Sequence, residues 1–204
     1  MLTFEVCWFA CWLVFTLIYR QRTRGCHRIP ARGPLLVVAN HQSHLDPPAI
    51  GMAFRTRHLS FLARDSLFRV PLLGRLIRAL NSTPVARGTS DTAAIRTTLA
   101  LLAHGRAVLV FPEGTRSTDG SLGPFKRGVW LLLSRAKCPV LPVAISGSNK
   151  AWPRASLLPR LLSPPITVHV GQPIPAEALL ALGPDAGLAR IRAEIESLLN
   201  SRVP

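Results

Sequence analysis

Several residue types that mark particular classes of protein are scarce in this chain. It has four cysteines among 204 residues and no Cys-x-x-Cys pair, so we expect reduced thiols that face the cytosol rather than a disulfide framework. These cysteines are Cys7, Cys11, Cys26 and Cys138. The N-terminus has neither a basic leading region nor a small-x-small cleavage site, which argues against a secretory signal peptide.

Negative charge and lysine are scarce as well. The chain has 10 acidic residues against 25 basic ones, and its formal net charge is +15. Only three of the basic residues are lysines, which leaves 22 arginines. Because the planar guanidinium matches phosphate, we expect an anionic partner such as a phospholipid surface or a phosphorylated substrate. Aromatic residues do not alternate with the arginines and no nucleic-acid-binding motif is present, so we expect no nucleic-acid partner.

An apolar run occupies the N-terminus. Residues 6–19 are apolar except for Thr16, and with residues 1–5 they reach about the minimum length of a membrane-spanning helix. We predict a membrane anchor, either a short span or an interfacial helix, in preference to a buried core helix. The arginines that follow the run place this flank on the cytoplasmic side: Arg20, Arg22, Arg24 and Arg28.

From residue 35 onward, apolar runs typical of strands alternate with segments of helical periodicity. This alternation predicts one α/β domain with a layered, mostly parallel sheet flanked by helices. Pro142 within a predicted strand indicates an edge strand or a bulge. The predicted strands are Leu35–Ala39, Leu59–Ala63, Thr83–Ala86, Ala107–Phe111, Val140–Ile145 and Ile166–Val170. The predicted helices are Leu67–Leu80, a helix capped by Thr89 or Ser90 and running to His104, Gly128–Ala136 and Ala186–Leu199.

The stretch Asn40 to Pro48, Asn-His-Gln-Ser-His-Leu-Asp-Pro-Pro, stands between a predicted strand and a predicted helix. Asp46 is placed to cap that helix, with Pro47 at its first position. A turn can bring His41 and Asp46 together, and a histidine held by a carboxylate is a general base. The alternative for this stretch alone is a capping aspartate beside an ordinary loop histidine.

Two further stretches place charged residues directly after predicted strands. Residues 111–117, Phe-Pro-Glu-Gly-Thr-Arg-Ser, put Glu113 and Arg116 where open α/β sheets bind ligands. Residues 81–87, Asn-Ser-Thr-Pro-Val-Ala-Arg, form a second strand that ends in an arginine, Arg87. The alternative for the first stretch is a turn relaxed by its glycine, with a solvated arginine.

In this order and spacing, the motifs resemble those of the glycerolipid acyltransferases, the 1-acylglycerol-3-phosphate acyltransferase family. The family's His-x4-Asp motif matches His41 to Asp46, and its second, third and fourth motifs match Asn81–Arg87, Glu113–Arg116 and the segment around Pro142. The resemblance covers about residues 28–180 and includes Phe125–Gly128 and Val170–Ile174. One departure concerns the second motif, in which this chain has Asn81 instead of glycine and Ala86 instead of an acidic residue.

The resemblance implies transfer of a fatty acyl group from a thioester to the free hydroxyl of a lysophospholipid. His41 would deprotonate that hydroxyl and Asp46 would orient His41. Arg87 and Arg116 would bind the acceptor phosphate by charge-assisted hydrogen bonds.

The remaining motif residues receive supporting roles from the same resemblance. Glu113 would lie in the acceptor site, or equally would pair with a nearby arginine in a structural role. Gly114 would let the backbone approach the ligand, and Thr115 would accompany it in the acceptor site. Pro142 would shape the acyl or thioester channel, and the family pattern also includes Asn40 and Ser43.

The implied partners are a lysophospholipid acceptor, an acyl thioester donor and an anionic phospholipid membrane. Acyl-CoA or acyl-acyl carrier protein would serve as co-substrate, with no cofactor and no metal. Lysophosphatidic acid is the expected acceptor, giving phosphatidic acid, and the altered second motif keeps a lyso-aminolipid or another lysophospholipid open. We expect a membrane-anchor segment over residues 1–20 and an acyltransferase domain over 21–204, at the cytoplasmic face of the cell membrane. The sequence carries no indication of how many copies of the chain assemble.

Two interpretations from other classes compete with an acyltransferase. In the first, His41, His44 and Asp46 are zinc ligands of a hydrolase, although the remaining histidines are scattered and form no second cluster. In the second, the chain is a non-catalytic basic protein of the membrane surface. That interpretation accounts for the charge and the N-terminus but not for the four ordered motifs.

Overall fold

A seven-stranded sheet forms the centre of the protein, and helices cover both of its faces. The computed structural model describes residues 2–85 and 91–201. Its strands are β1 (Arg22–Arg24), β2 (Leu35–Ala39), β3 (Leu59–Arg64), β4 (Ser82–Val85), β5 (Ala107–Val110), β6 (Val140–Ser146) and β7 (Thr167–Val170). Its helices are α1 (Leu2–Leu17), α2 (Asp46–Gly51), α3 (Asp65–Phe68), α4 (Pro71–Ala79), α5 (Asp91–Ala103), α6 (Gly128–Ala136), α7 (Ser148–Ala151), α8 (Ala176–Leu182) and α9 (Pro184–Asn200).

The strand order is β1-β7-β6-β2-β5-β3-β4. Strands β2 to β6 run in one direction and pair in parallel, whereas β7 is antiparallel to β6 and β1 runs with β7. The predicted α/β layers and mostly parallel sheet are therefore confirmed. The carboxyl ends of β2 to β6 and the amino ends of β7 and β1 share one edge of the sheet, which we call the upper edge.

Strand β2 is buried on both faces, as its continuous apolar run predicts. Val37 points into a cluster that includes Phe15 and Ile50 from α1 and α2. Val38, one residue later, points into a cluster built by α5, α6, α8 and α9. The central strand thus links two cores and holds the loop that follows it at a defined height above the sheet.

Helix α1 contributes to the first core. Phe15 near its end and Tyr19 just after it are both buried there. The arginine-rich flank forms β1 beside β7, and the guanidinium of Arg20 donates to the Ser163 carbonyl at 2.6 Å. None of the helices in the described part of the chain is long and apolar enough to span a membrane.

The predicted helix Leu67–Leu80 is in fact two helices, α3 and α4. The break comes at Pro71, which has no backbone N–H and disfavours a helical conformation in the residue before it. Val70 is accordingly extended, with φ −76° and ψ 117°. The caps predicted at Thr89 or Ser90 lie outside the described residues.

Asp46 does not cap α2, contrary to the prediction. The helix begins at Asp46 itself, Leu45 is the N-cap residue, and no side chain caps this end. The carboxylate is turned back toward the preceding loop, where three N–H groups surround it.

Pro142 lies in an interior strand, so the edge-strand alternative is wrong and the bulge is confirmed. Strand β6 pairs with β2 on one side and β7 on the other. Val143 pairs with Val170, and Val140 pairs with Ile174. Two residues separate the paired positions on β6 and three separate them on the opposite segment, so that segment has one extra residue. The Gly171 N–H donates to the Pro142 carbonyl at 2.9 Å, so the proline's missing N–H faces this irregular stretch.

Candidate active site

Asn40 holds the loop after β2 against β6. Its side chain is fully buried, its Nδ2 donates to the Ile145 carbonyl at 2.8 Å, and its Oδ1 accepts from the Ile145 N–H at 2.8 Å. An amide side chain has one donor and one acceptor group, so it extends the strand pairing past Ala39. The next residue, His41, is consequently fixed at the upper edge.

His41 and Asp46 form a hydrogen-bonded pair, as the sequence predicts. The distance from His41 Nδ1 to Asp46 Oδ2 is 2.8 Å, and Asp46 is fully buried. The same carboxylate oxygen accepts from the N–H groups of Gln42 at 2.6 Å and Ser43 at 2.7 Å. These donors offset part of the cost of burying a negative charge, whereas Asp46 Oδ1 is buried without a partner. With Nδ1 engaged, Nε2 is the ring atom of His41 that remains to accept a proton.

Phe111 and Ser117 hold His41 from the side of β5. The Phe111 ring stacks on the imidazole with 3.9 Å between centroids and 14° between planes. The Ser117 N–H donates to the His41 carbonyl at 2.8 Å. The side chain of His41 keeps 19% of its surface exposed. A base that is fixed on one face and partly open to solvent can meet a substrate hydroxyl.

Glu113 joins two loops through backbone contacts. It is buried; its Oε1 accepts from the His41 N–H at 2.8 Å, and its Oε2 accepts from the Gly123 N–H at 2.9 Å. For a structural role we expect Glu113 to pair with an arginine. Among the described residues, its carboxylate instead accepts from two backbone N–H groups. Glu113 positions His41, and both of its oxygens already have a partner.

Gly114 and Thr115 are exposed beside this contact. Gly114 has φ +67°, in the left-handed region that favours glycine. A Cβ atom there would also lie 2.7 Å from Cε of Lys126. The left-handed turn therefore favours glycine here, whereas the flexible end of the lysine could move aside.

Arg116 lies at the upper edge among other cations. Partial burial and the nearby charges of Arg154 and Arg64 lower the pKa of its guanidinium, and Asp46 opposes this shift. Its Nη1 is buried without a hydrogen-bond partner. The carbonyl of Arg116 accepts from Nη1 of Arg154 at 2.6 Å. Among the described residues none of these three arginines has an ion-pair partner, so the cluster is suited to an anion. Arg87, which we predict beside it, lies outside those residues.

His44 contacts Trp152 and forms no hydrogen bond with Asp46 among the described residues. Its ring meets Trp152 edge-on, with 5.3 Å between centroids. Partial burial, followed by the charge of Arg116 and then that of His41, lowers its pKa, so it is mainly neutral near pH 7. The Ser43 hydroxyl donates to the Trp152 carbonyl at 2.9 Å and fixes the same loop. No group of three or more histidine, cysteine or acidic side chains within residues 2–85 and 91–201 is arranged to hold a metal ion.

A family model described as Acyltransferase matches residues 20–146, which contain the His41–Asp46 pair and the Glu113–Arg116 turn. The chain belongs to the acyltransferase family. The family membership that the motifs predict is thereby confirmed.

Proteins similar to this acyltransferase-family chain are named 1-acyl-sn-glycerol-3-phosphate acyltransferases. It is 25% identical to that of Bacillus subtilis (strain 168) over 174 residues, 84% of this chain and 86% of that protein. It is 31% identical to the human alpha form over 162 residues, 78% of this chain and 56% of that protein. It is 31% identical to the chloroplastic BAT2 protein of Brassica napus over 144 residues, 68% of this chain. The match spans only 40% of the Brassica protein.

A solved structure has the same fold. The 1-acyl-sn-glycerophosphate (LPA) acyltransferase PlsC from Thermotoga maritima superposes with a TM-score of 0.79 at 26% identity. The superposition covers 98% of this chain and 81% of that one. The mixed sheet flanked by helices is therefore an acyltransferase fold.

The departure of this chain from the family's second motif has a local explanation. Asn81 has φ +62°, a conformation that glycine adopts freely and that asparagine tolerates better than most residues. Its Nδ2 also lies 3.0 Å from Nδ1 of His58. Asparagine thus preserves the turn that the family's glycine would form.

Pro142 lies on the sheet face covered by α9, with its Cγ near Gly171, and its role in the acyl or thioester channel stays a prediction. Phe111, Arg64 and Arg154 lie at the site although they were not predicted there. Phe111 opens the stretch 111–117, and Arg64 ends a strand at the upper edge, so both carried a signal. Arg154, in a long loop, carried none.

Proposed function

We propose that this protein transfers a fatty acyl group from an acyl thioester to the free hydroxyl of lysophosphatidic acid, giving phosphatidic acid for phospholipid synthesis. The donor would be acyl-CoA or acyl-acyl carrier protein. The observation that carries the proposal is the His41–Asp46 pair beside arginines without ion-pair partners in the described residues. The names of the relatives agree with it.

In the proposed reaction, His41 Nε2 takes the proton of the acceptor hydroxyl while that oxygen attacks the thioester carbonyl. The tetrahedral intermediate then collapses, the carbon–sulfur bond breaks, and the thiolate leaves with the proton from His41. Asp46 holds the ring in the correct tautomer and stabilises the imidazolium. A thioester is already activated, so no covalent enzyme intermediate is needed. General-base assistance of this kind contributes about 10²–10⁴ in rate.

The acceptor phosphate would bind at Arg116, with Arg64 and Arg154 nearby and Arg87 as the predicted fourth contact. Guanidinium groups bind phosphate through planar, charge-assisted hydrogen bonds. Another lysolipid, such as a lyso-aminolipid, is the alternative acceptor, because the second motif is altered. Since Asn81 retains the glycine-like turn, the local geometry favours the phosphate-bearing acceptor.

The protein would work on an anionic membrane at its cytoplasmic face. Exposed apolar side chains on α1 and on α4, which packs against it, offer one contact. A second is the loop after α7, which carries four exposed leucines beside two arginines, Arg154 and Arg160. The apolar residues are Val6, Phe9, Leu13, Leu17, Leu72, Leu73, Leu157, Leu158, Leu161 and Leu162. This arrangement supports an interfacial helix, with arginines attracted to anionic lipids.

The test is a matrix of purified acceptors and donors, with products identified by mass. Lysophosphatidic acid, other lysophospholipids and a lyso-aminolipid are each offered with acyl-CoA and with acyl-acyl carrier protein. We expect phosphatidic acid as the major product. Preferred acylation of a lysolipid without a phosphomonoester would replace the proposed acceptor, and absence of transfer with every pair would refute the activity.

A further inference from the structure

A groove of about 500 Å³ lies at the upper edge beside the candidate active site. Gln42, the residue after His41, forms part of its wall, so the groove begins one residue from the proposed base. The acceptor site does not account for it. Its other walls come from the ends of β6, β7 and β1 and from the loop after β5.

The sheet order sets the strands that end at the groove beside the strand that leads to His41. β2, which ends two residues before His41, lies between β6 and β5. Ser146 and Thr167, at the ends of β6 and β7, line the groove. Arg116 follows β5, and the same loop continues to Asp119 and Gly120 in the groove wall. A transfer between two substrates needs two sites that meet at the base, and the groove offers a second site next to the arginines.

The lining of the groove combines polar side chains with apolar surface, which fits a ligand of amides and methylenes that is anionic at one part. The hydroxyls of Ser146 and Thr167 bond each other at 2.5 Å and keep further capacity to pair with amide and hydroxyl groups. Arg22 and Lys150 add two positive charges, and in the described part of the chain neither forms an ion pair. Hydrogen bonds from Ser121 and Ser117 hold the pKa of Asp119 down at about 2, so this residue adds one negative charge and the three charged residues leave a net positive lining.

We infer that this groove binds the phosphopantetheine arm of the acyl thioester donor, with Arg22 and Lys150 contacting its phosphate. The inference rests on the proposed acyl transfer. The arm is common to acyl-CoA and acyl-acyl carrier protein, and it carries two amides, a hydroxyl and a phosphate. Its sulfur end would point toward Gln42 and His41, where the thioester carbonyl meets the acceptor hydroxyl. The volume is within the usual range for small-molecule sites, about 300–1,000 Å³.

Charge reversal with donors of different length tests the inference. The variants are Lys150→Glu, Arg22→Glu and the double variant, and the donors are acyl-CoA, acyl-acyl carrier protein and acyl-pantetheine, which lacks the phosphate. We expect the donor KM to rise about three- to fivefold for each single variant, because exposed charge contacts are weak, and on the order of tenfold for the double variant. The KM for acyl-pantetheine and the acceptor KM should stay unchanged.

The matched control is Arg135→Glu, which reverses an exposed charge on α6 near the opposite edge of the sheet. It should leave both KM values unchanged. A KM rise with acyl-CoA alone, or with acyl-acyl carrier protein alone, assigns the groove to that donor's arm. Unchanged donor KM values, an equal rise with acyl-pantetheine, or a rise confined to the acceptor KM would each overturn the assignment.

Calorimetric binding of CoA and phosphopantetheine separates this inference from the proposed function. Both should bind the wild-type protein, and both should bind the double variant more weakly by the same factor as the donor KM. If the wild-type protein transfers no acyl group, the proposed function fails while this binding result still decides the groove. Equal affinity of wild type and double variant would remove the groove as the phosphate site, whatever the turnover.

Discussion

The turn that carries His41 and the surfaces around it differ in how completely their groups are paired. In the turn, Asp46 Oδ2 accepts three hydrogen bonds and both oxygens of Glu113 are engaged, and Asp46 Oδ1 is the one carboxylate oxygen of the two residues without a partner. On the neighbouring surface, Arg116 has a buried N–H group without a partner. On the loop after α7, Leu162 is 97% exposed.

The paired groups of the turn position the base, whereas the unpaired groups of the surface are available to bind a ligand or a membrane. A buried carboxylate stays charged only where donors surround it, so the turn holds its geometry before a substrate arrives. An unpaired guanidinium or an exposed leucine gains contact energy only when a phosphate or a membrane is present. Changes in the turn should therefore reduce stability as well as turnover, whereas changes on the open surface should reduce binding alone.

The largest effect is expected from the His41–Asp46 pair. His41→Ala should lower turnover by about 10²–10⁴, the usual contribution of a general base. Asp46→Asn should have a similar effect and should also destabilise the fold, because its carboxylate accepts from two backbone N–H groups. The double variant should be little worse than His41→Ala, since residues that act as a unit are not additive. Steady-state kinetics and thermal unfolding measure both effects.

His44→Ala is the matched control for that pair. It removes a histidine three residues away that contacts Trp152 rather than Asp46. Its loss should be mild, and a loss as large as that from His41→Ala would restore the metal interpretation. Additive losses of His41→Ala and Asp46→Asn in the logarithm of rate would contradict a single catalytic unit.

Arg116→Ala should have the next largest effect. A charge-assisted hydrogen bond contributes about 1.5–3 kcal/mol, which corresponds to roughly ten- to two-hundredfold in acceptor affinity. The acceptor KM should rise while the donor KM and the unfolding temperature stay close to wild type. Arg116→Lys should restore function only in part, because an ammonium group lacks the planar fork. A rise confined to the donor KM would move this arginine to the donor.

Glu113→Gln should cost stability more than acceptor binding. The amide can keep one of the two backbone donors but leaves the other facing an NH₂ group, at about 1–3 kcal/mol. Denaturant unfolding measures this loss, and the acceptor KM should change less than in Arg116→Ala. The reverse pattern, with unchanged stability and a large rise in acceptor KM, would place Glu113 in the acceptor site.

Leu161→Ser with Leu162→Ser should weaken membrane binding without unfolding the protein. Moving two leucines out of a bilayer surface should reduce partition into anionic vesicles by about tenfold. The control is Leu182→Ser, an exposed leucine of α8, on the sheet face opposite α1. Residual binding should fall with salt. Deletion of residues 1–20 is a poorer test, because Tyr19 is part of the core.

Asn81→Gly should have the smallest effect. Glycine adopts the left-handed conformation of this residue without strain, although the contact with His58 is lost. We expect a change in unfolding free energy of about 1 kcal/mol or less and the same acceptor preference. A shift in acceptor preference between lysophosphatidic acid and other lysolipids would show that the second motif selects the acceptor.

The catalytic pair could be predicted because its signals are local. A buried strand, a short turn and an Asp-Pro-Pro helix start follow one another within a dozen residues, so Asp46 had to lie close to His41. The role of Asp46 as a cap was wrong for the same reason. Capping rules consider only the helix N–H groups that follow an aspartate. In this protein the carboxylate accepts from His41, Gln42 and Ser43, which precede the helix.

The sequence by itself determined the alternation of strands and helices, the family motifs and the positive charge, because these depend on periodicity and residue type. The tertiary structure decided which strand ends became neighbours. Only the strand order brings Glu113 to the backbone N–H of His41 and sets the groove beside the residue that follows it. Such contacts join residues more than 70 positions apart, and the packing of the two cores on the sheet selects them, which no local pattern encodes.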